Sequence, residues 1–256
     1  MKVLEIEKEL SIMSNLFHPS ITNIYGYQFD KNNAYLIMEL METNLWKFIQ
    51  ENHDKLSISE LFLIMKKMTI SVNYLSSKGI IHRDIRADNF LVSNNGKTVK
   101  ITDFGISRVK ENCQTSYMTN FKGNPIWQPK ECHGRGKLKF STKSDIYSLG
   151  MTFYQVIFNK NPFDGMTDKI KEYTDKMMKI NQNLPIEVLQ SFYVIPEMIK
   201  DGIRPIITSH LKVPKEFNDL LERMWKDKPN ERITIEELML WFKDNDEKFK
   251  KNLEKL

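Results

Sequence analysis

The sequence predicts an α+β fold of two unequal lobes, on three features of its 256 residues. The first forty residues read as a helix followed by two strands. Short strand-like pieces recur between residues 80 and 102, and from about residue 142 the apolar spacing is helical to the end. The expected boundaries are a small lobe at 1–40, a large and mainly helical lobe at 41–246, and a charged helical tail at 247–256. The stretch ELMETN (39–44) is the joint.

Each element has a local reason. In VLEIEKELSIMSNLF (3–17) the residues Leu4, Leu10, Ile12, Met13 and Leu16 gather towards one side, and His18-Pro19-Ser20 ends the helix. ITNIYGYQFD and AYLIMEL, separated by KNN, read as antiparallel strands. SISE (57–60) is a capping box that opens a helix carrying Ile58, Leu61, Met65, Met68, Val72 and Leu75 at helical spacing. Gly79 stops that helix, with Lys78 in its last turn. IIH, FLVS and VKIT follow as short strands, the last two joined by NNGK, a hairpin signal. The stretch from DGMTDK to VIPEM (164–198), rich in lysine and methionine, reads as solvated helix, with a partner-docking helix as the other reading. The tail DNDEKFKKNLEKL reads as solvated helix too.

Composition excludes several classes. Hydrophobic residues make up 41% and charged residues 28%, ordinary for a soluble globular chain. The longest apolar run, GMTFYQVIF (150–158), is too short to span a bilayer, and MKVLEIEKEL has no signal-peptide core. The two cysteines, Cys113 and Cys132, have neither disulfide-framework nor zinc spacing. A reducing, cytoplasmic or nuclear setting is therefore expected, with the cytoplasm preferred. The net charge of +5 is spread along the chain, which permits nucleotides but does not point to nucleic acid or membrane partners.

The segment IIHRDIRADNFLV (80–92) places four charged residues, a histidine and an asparagine between two apolar runs. Asn89 lies five residues after Asp84, and Asp103, in KITDFGISR, lies nineteen after it. Two carboxylates and an amide on neighbouring short strands can converge on one side of a cleft. Such hard oxygens suit magnesium, which takes a few protein oxygens together with substrate phosphates. Phosphoryl transfer needs such ligands plus one carboxylate to accept the nucleophile's proton.

HRDIRADN and DFG at this separation resemble the catalytic loop and metal-binding motif of eukaryotic protein kinases. The resemblance implies a protein-kinase-like two-lobed fold, with ATP and Mg2+ as cofactors and a protein substrate. It implies that Asp84 accepts the substrate hydroxyl proton and that Arg86 steadies the transferring phosphoryl group. Asn89 and Asp103 would hold magnesium. Glu9, in the first helix, would be the glutamate that pairs with a strand lysine. IMELM (37–41) resembles the hinge, with Met38 as gatekeeper and the backbone of Glu39 and Met41 meeting adenine. Leu91 would form the adenine floor, or be plain core.

Other matches are architectural. GNPIWQPKE (123–131) resembles the loop ending in Ala-Pro-Glu, with Pro129-Lys130 in place of Ala-Pro. SDIYSLG resembles the central large-lobe helix, whose Asp145 would bind the catalytic-loop backbone. DGIRPII and MWKDKPNERITIEEL resemble the tyrosine-kinase-like group, with Arg232 paired to Glu131. Met13, Ile24, Phe104 and His82 fall where the family stacks an internal apolar column, and ordinary core packing predicts nearly the same contacts.

The sequence departs from the family in lacking a GxGxxG loop and a lysine on a strand before Glu9, where Lys2 lies too close. The expectation is a truncated small lobe: a fragment whose missing roof an upstream segment would complete, or a catalytically inert pseudokinase that serves as a binding module. Arg83 would receive an activation-segment phosphate, with Thr119 the preferred site and an unmodified polar residue the other reading. Specificity leans to serine and threonine through GIRP, although Arg86 occurs at this position in some tyrosine kinases.

Overall fold

The computed structural model describes residues 10–29, 34–109, 123–133, 138–180, 184–207 and 213–251. Of the first expected helix, residues 10–17 lie in this set, and 10–13 form the described part of α1. The Ser14 N–H closes its last turn on the Leu10 carbonyl at 2.9 Å. β1 (Ile24–Phe29) and β2 (Ala34–Met38) then pair antiparallel, with a register slip between Ile24 and Gly26. A cavity of about 580 Å³ lies between α1 and β1, lined by Leu10, Met13, Phe17, Ile24 and Tyr25. Tyr25 and Ile37 remain mostly exposed on this two-stranded sheet.

The two lobes are joined by backbone as well as by the hinge. The Thr22 N–H donates to the Ile101 carbonyl at 3.0 Å, and the Ile101 N–H donates to the Ser20 carbonyl at 2.9 Å. Residues 20–22 thereby add a short parallel edge to the three-stranded sheet of β3 (Thr43–Asn44), β5 (Phe90–Ser93) and β6 (Thr98–Ile101). β4 (Ile80–Ile81) pairs instead with β7 (Arg108–Val109). The catalytic-loop candidate thus runs from one small sheet into another.

The large lobe begins with α2 (Leu45–Asn52), capped by the Asn44 side chain, and α3 (Ile58–Ser77). The capping box forms as the sequence predicts: Ser57 accepts the Glu60 N–H, and the Glu60 carboxylate accepts the Ser57 N–H. Lys78 caps the other end, and Gly79 leaves at φ 67°. α4 (Thr142–Phe158) is the central helix, with every residue from Ser144 to Phe158 buried. A helix apolar on all sides is one surrounded by protein.

Two solvated readings are corrected in part, because the lysine-rich helix at 167–178 stays mostly exposed, with only Tyr173 and Thr174 buried. The 164–198 stretch folds into α5 (Thr167–Met178), α6 (Ile186–Leu189), a π turn (Gln190–Val194) and α7 (Ile195–Lys200). Leu189, Val194, Ile195, Met198 and Ile199 are buried, while Ile186 and Val188 stay exposed. This is an amphipathic packed helix, which the many lysines upstream obscured. The described part of the tail, to Lys251, is continuous with the last helix: α8 (Lys215–Met224) is followed by α9 (Ile235–Lys251). Phe249 is buried and stacks on Phe62 at 4.1 Å, and the Ser59 hydroxyl donates to its carbonyl. One aromatic among six lysines and acids carries little periodic signal, yet it docks α9 on α3.

Candidate active site

The site is built around one buried carboxylate. Asp145, on the first turn of α4, accepts the backbone N–H of His82 at 2.7 Å and of Arg83 at 3.0 Å. Arg83 is left-handed, at φ 73°, and an alternation of this kind turns successive N–H groups towards a single anion. Burial pushes the Asp145 carboxyl above its usual range, opposed by His82, Arg83 and their two N–H groups. A charged hydrogen bond of this kind contributes about 1.5–3 kcal/mol. The loop is therefore fixed to the core before any ligand arrives.

His82 carries that order outward. Its Nδ1 accepts the Asp84 N–H at 3.3 Å, which assigns the ring hydrogen to Nε2, and Nε2 donates to the Thr102 carbonyl at 3.0 Å. The ring meets Phe104 edge-on at 5.1 Å, and Phe104 is fully buried. With the aromatic neighbour turned inward, Asp103 is exposed at φ 64° and accepts the Gly105 N–H at 3.3 Å. A left-handed, non-glycine residue of this kind costs about 1 kcal/mol or more and is common at functional sites.

Asp84 is held from two sides. The Asn89 Nδ2 donates to Asp84 Oδ2 and to the Asp84 carbonyl, both at 2.8 Å. The Asn124 N–H donates to Asp84 Oδ1 at 3.3 Å. Because both partners of the Asn89 amide nitrogen are acceptors, its orientation is fixed and its Oδ1 is turned away from Asp84. The Asn89 carbonyl accepts the Thr102 N–H at 2.9 Å, so the segments carrying Asn89 and Asp103 are one hydrogen bond apart. Asn89 Oδ1 and the Asp103 carboxylate are hard oxygen donors of the kind magnesium takes. Among the described residues no group of three or more His, Cys, Asp and Glu side chains is placed to hold a metal. A cation at this pair would lean on substrate phosphates for its other ligands.

In the segment read as the hinge, the Glu39 N–H donates to the Asn23 carbonyl at 3.0 Å. The Glu39 carboxylate takes Lys100 Nζ at 2.7 and 2.8 Å and the Asn23 N–H at 2.7 Å. Met38 is partly exposed beside Thr102, Met41 lies at 3.5 Å from the Ser93 hydroxyl, and Leu91 is half-buried opposite Lys100 on β6. Arg83 is almost wholly buried, its guanidinium 4.7 Å from the Phe140 ring. Arg86 forms an ion pair with Asp88 and lies 5.0 Å over Trp127. Glu9 and Thr119 lie outside the described residues. The Glu39–Lys100 pair and the Asp88–Arg86–Trp127 group escape sequence reading, since their members are spaced by 61 and up to 41 residues. Nothing local marks them.

The family model described as "Protein kinase domain" matches residues 2–241. A protein of Acanthamoeba polyphaga mimivirus named as a serine/threonine-protein kinase/receptor is 29% identical over 95% of this chain and 13% of its own length. The serine/threonine-protein kinase PLK4 of Aedes aegypti is 29% identical over 91% of this chain and 26% of its own length. Mitogen-activated protein kinase kinase kinase 7 of Drosophila melanogaster is 28% identical over 91% of this chain and 30% of its own length. The chain thus spans between about an eighth and a third of these curated relatives.

Proposed function

The chain belongs to the protein kinase domain family, and from that premise we propose that it transfers the terminal phosphoryl group of ATP to protein serine or threonine hydroxyls, with tyrosine as the second acceptor class. The observation that carries this reading is the held carboxylate of Asp84, fixed by Asn89 and by the Asn124 N–H. In this reading Asp84 accepts the proton of the substrate hydroxyl as the oxygen attacks. Arg86 faces the transferring phosphoryl group, and the Glu39 carbonyl and Met41 backbone meet adenine between Met38 and Leu91. Asn89 and Asp103 would hold Mg2+, which when bound supplies positive charge to the phosphates. Glu9 would order the nucleotide side of the cleft from the first helix.

The serine/threonine preference draws on the names of the relatives and on GIRP (202–205). DGIRPII and MWKDKPNERITIEEL support a place in the tyrosine-kinase-like group. The exposed Tyr25 and Ile37 fit a further polypeptide segment completing the small lobe over the 1–40 unit. Arg83 and Thr119 are the proposed activation pair, by charge-assisted bonding of a phosphate. A cytoplasmic setting fits the cysteine usage. Among the described residues no helix is long and apolar enough to cross a membrane.

The test is transfer from labelled Mg-ATP to a mixed serine, threonine and tyrosine peptide library, with Asp84→Asn alongside. Transfer to serine and threonine that Asp84→Asn lowers by at least about a hundredfold supports the proposal. A folded chain that neither binds Mg-ATP nor transfers phosphate overturns it in favour of a pseudokinase binding module.

A further inference from the structure

Arg86 sits in a slot with two walls. Its Nε and Nη2 both donate to Asp88 Oδ2, at 2.8 and 2.5 Å. Its guanidinium carbon lies 5.0 Å from the centre of the Trp127 ring. Trp127 is 4% exposed and ends the short turn Pro125–Trp127, and its carbonyl accepts the Ser148 hydroxyl of α4 at 2.8 Å. The aromatic wall is therefore anchored to the central helix, and the acidic wall is only two residues from Arg86 along the loop. The guanidinium carbon thus stands over an indole, and one edge of the group meets a carboxylate. An arginine carries five N–H donors in a fixed fork, and the Nε edge given to Asp88 leaves the Nη1 side for an anion.

We propose that Asp88 and Trp127 are positioning residues for Arg86, holding its guanidinium so that the outer edge meets the transferring phosphoryl group; this rests on the role given to Arg86 above. An unheld arginine must give up its rotamer freedom when the transition state forms, whereas a held one has done so already. Asp88 bears the same sign of charge as the phosphates, so its service is orientation and not attraction. Removing its charge therefore slows the chemical step without weakening ATP binding. Trp127 also belongs to the loop ending at Glu131, so the slot links that loop to the phosphoryl site.

The experiment uses the 256-residue chain and two readouts. The first is Trp127 emission, isolated from the other three tryptophans by subtracting the spectrum of Trp127→Phe. The second is steady-state phosphoryl transfer. Asp88→Asn is expected to shift Trp127 emission towards that of Arg86→Ala, and to lower kcat roughly tenfold at an ATP KM that is unchanged or lower. Arg86→Lys, which loses the fork, should be slowed similarly, and Arg86→Lys/Asp88→Asn no further. Unchanged Trp127 emission in Asp88→Asn, or additive losses in the double variant, overturns the proposal. Wild type without transfer would instead sink the catalytic reading of Asp84. The emission of Asp88→Asn against Arg86→Ala would then decide the slot alone. Should Asp88→Asn not fold, Arg86→Ala decides: emission equal to wild type shows that no cation covers the indole.

Discussion

Arg232 meets Glu131 through two parallel bonds, Nη1 to Oε1 at 2.6 Å and Nη2 to Oε2 at 3.0 Å, with the guanidinium wholly buried. The same arginine donates to the carbonyls of Lys226, Lys143 and Asp227, and lies 5.1 Å from the Tyr147 ring. Arg204 covers the ring as well, at 5.3 Å, and pairs with Asp227, which also takes Lys130 at 3.0 Å. Lys130, which stands where the family carries proline, thus acquires an ion pair of its own. Glu131→Gln and Arg232→Lys should each lower unfolding free energy by about 3–5 kcal/mol, because each strands a buried partner. Urea unfolding measures this, and a loss below about 1 kcal/mol would show that water reaches the pair.

Asp145→Asn keeps the size of the side chain but replaces one acceptor oxygen by a donor that faces an N–H. The loss should be about 1–3 kcal/mol of stability, since one buried backbone donor is left unsatisfied. Phosphoryl transfer should fall further than folding does, because Asp84 is aligned through His82 and Arg83. Comparing kcat with the urea midpoint separates the two effects, and transfer equal to wild type would contradict this account.

Gly150, in the middle of α4, sits where an added Cβ would lie 2.9 Å from the Met224 Cβ. No rotamer change moves a Cβ, so α4 or α8 must shift. Glycine to alanine in a helix interior is ordinarily stabilising by about 0.5–1 kcal/mol. Here overpacking at about 1–3 kcal/mol outweighs it. Gly150→Ala should thus lower the thermal midpoint, and a higher midpoint would mean that the helices separate freely.

His133 is buried, and its Nε2 bonds the Gln128 carbonyl at 2.9 Å. Burial first, and then the charge of Lys200, lower its pKa from the ordinary 6.5 to about 4, against the pull of the Gln128 bond and of Glu131. The unfolded chain therefore takes up this proton before the folded one. Its contribution to stability is complete above pH 6.5 and is lost as pH falls towards 4, with a slope of about 1.4 kcal/mol per pH unit. Urea unfolding from pH 7 to 4 should show this slope in wild type and a shallower one in His133→Gln. Equal slopes would place the acid sensitivity elsewhere.

The sequence by itself determined what neighbouring residues decide. Ser57 and Glu60 stand three apart and form their capping box wherever the helix lies, and NNGK turns β5 back along β6 through the bond from the Lys97 N–H to the Asn94 carbonyl. Asp84 and Asn89 are five residues apart and meet within one loop, so their pairing is legible from spacing once the loop is recognised. Tertiary structure decided the rest. Asp145 lies 62 residues beyond Arg83, Lys100 lies 61 beyond Glu39, and Trp127 lies 41 beyond Arg86. Phe249 is buried only because Ser59 and Phe62 of α3 receive it. Helical period and turn chemistry act over a few residues, whereas a long-range contact depends on where the whole chain has already packed. That is why the contact between Asp84 and Asn89 lies within reach of local sequence, and the packing of Trp127 beside Arg86 does not.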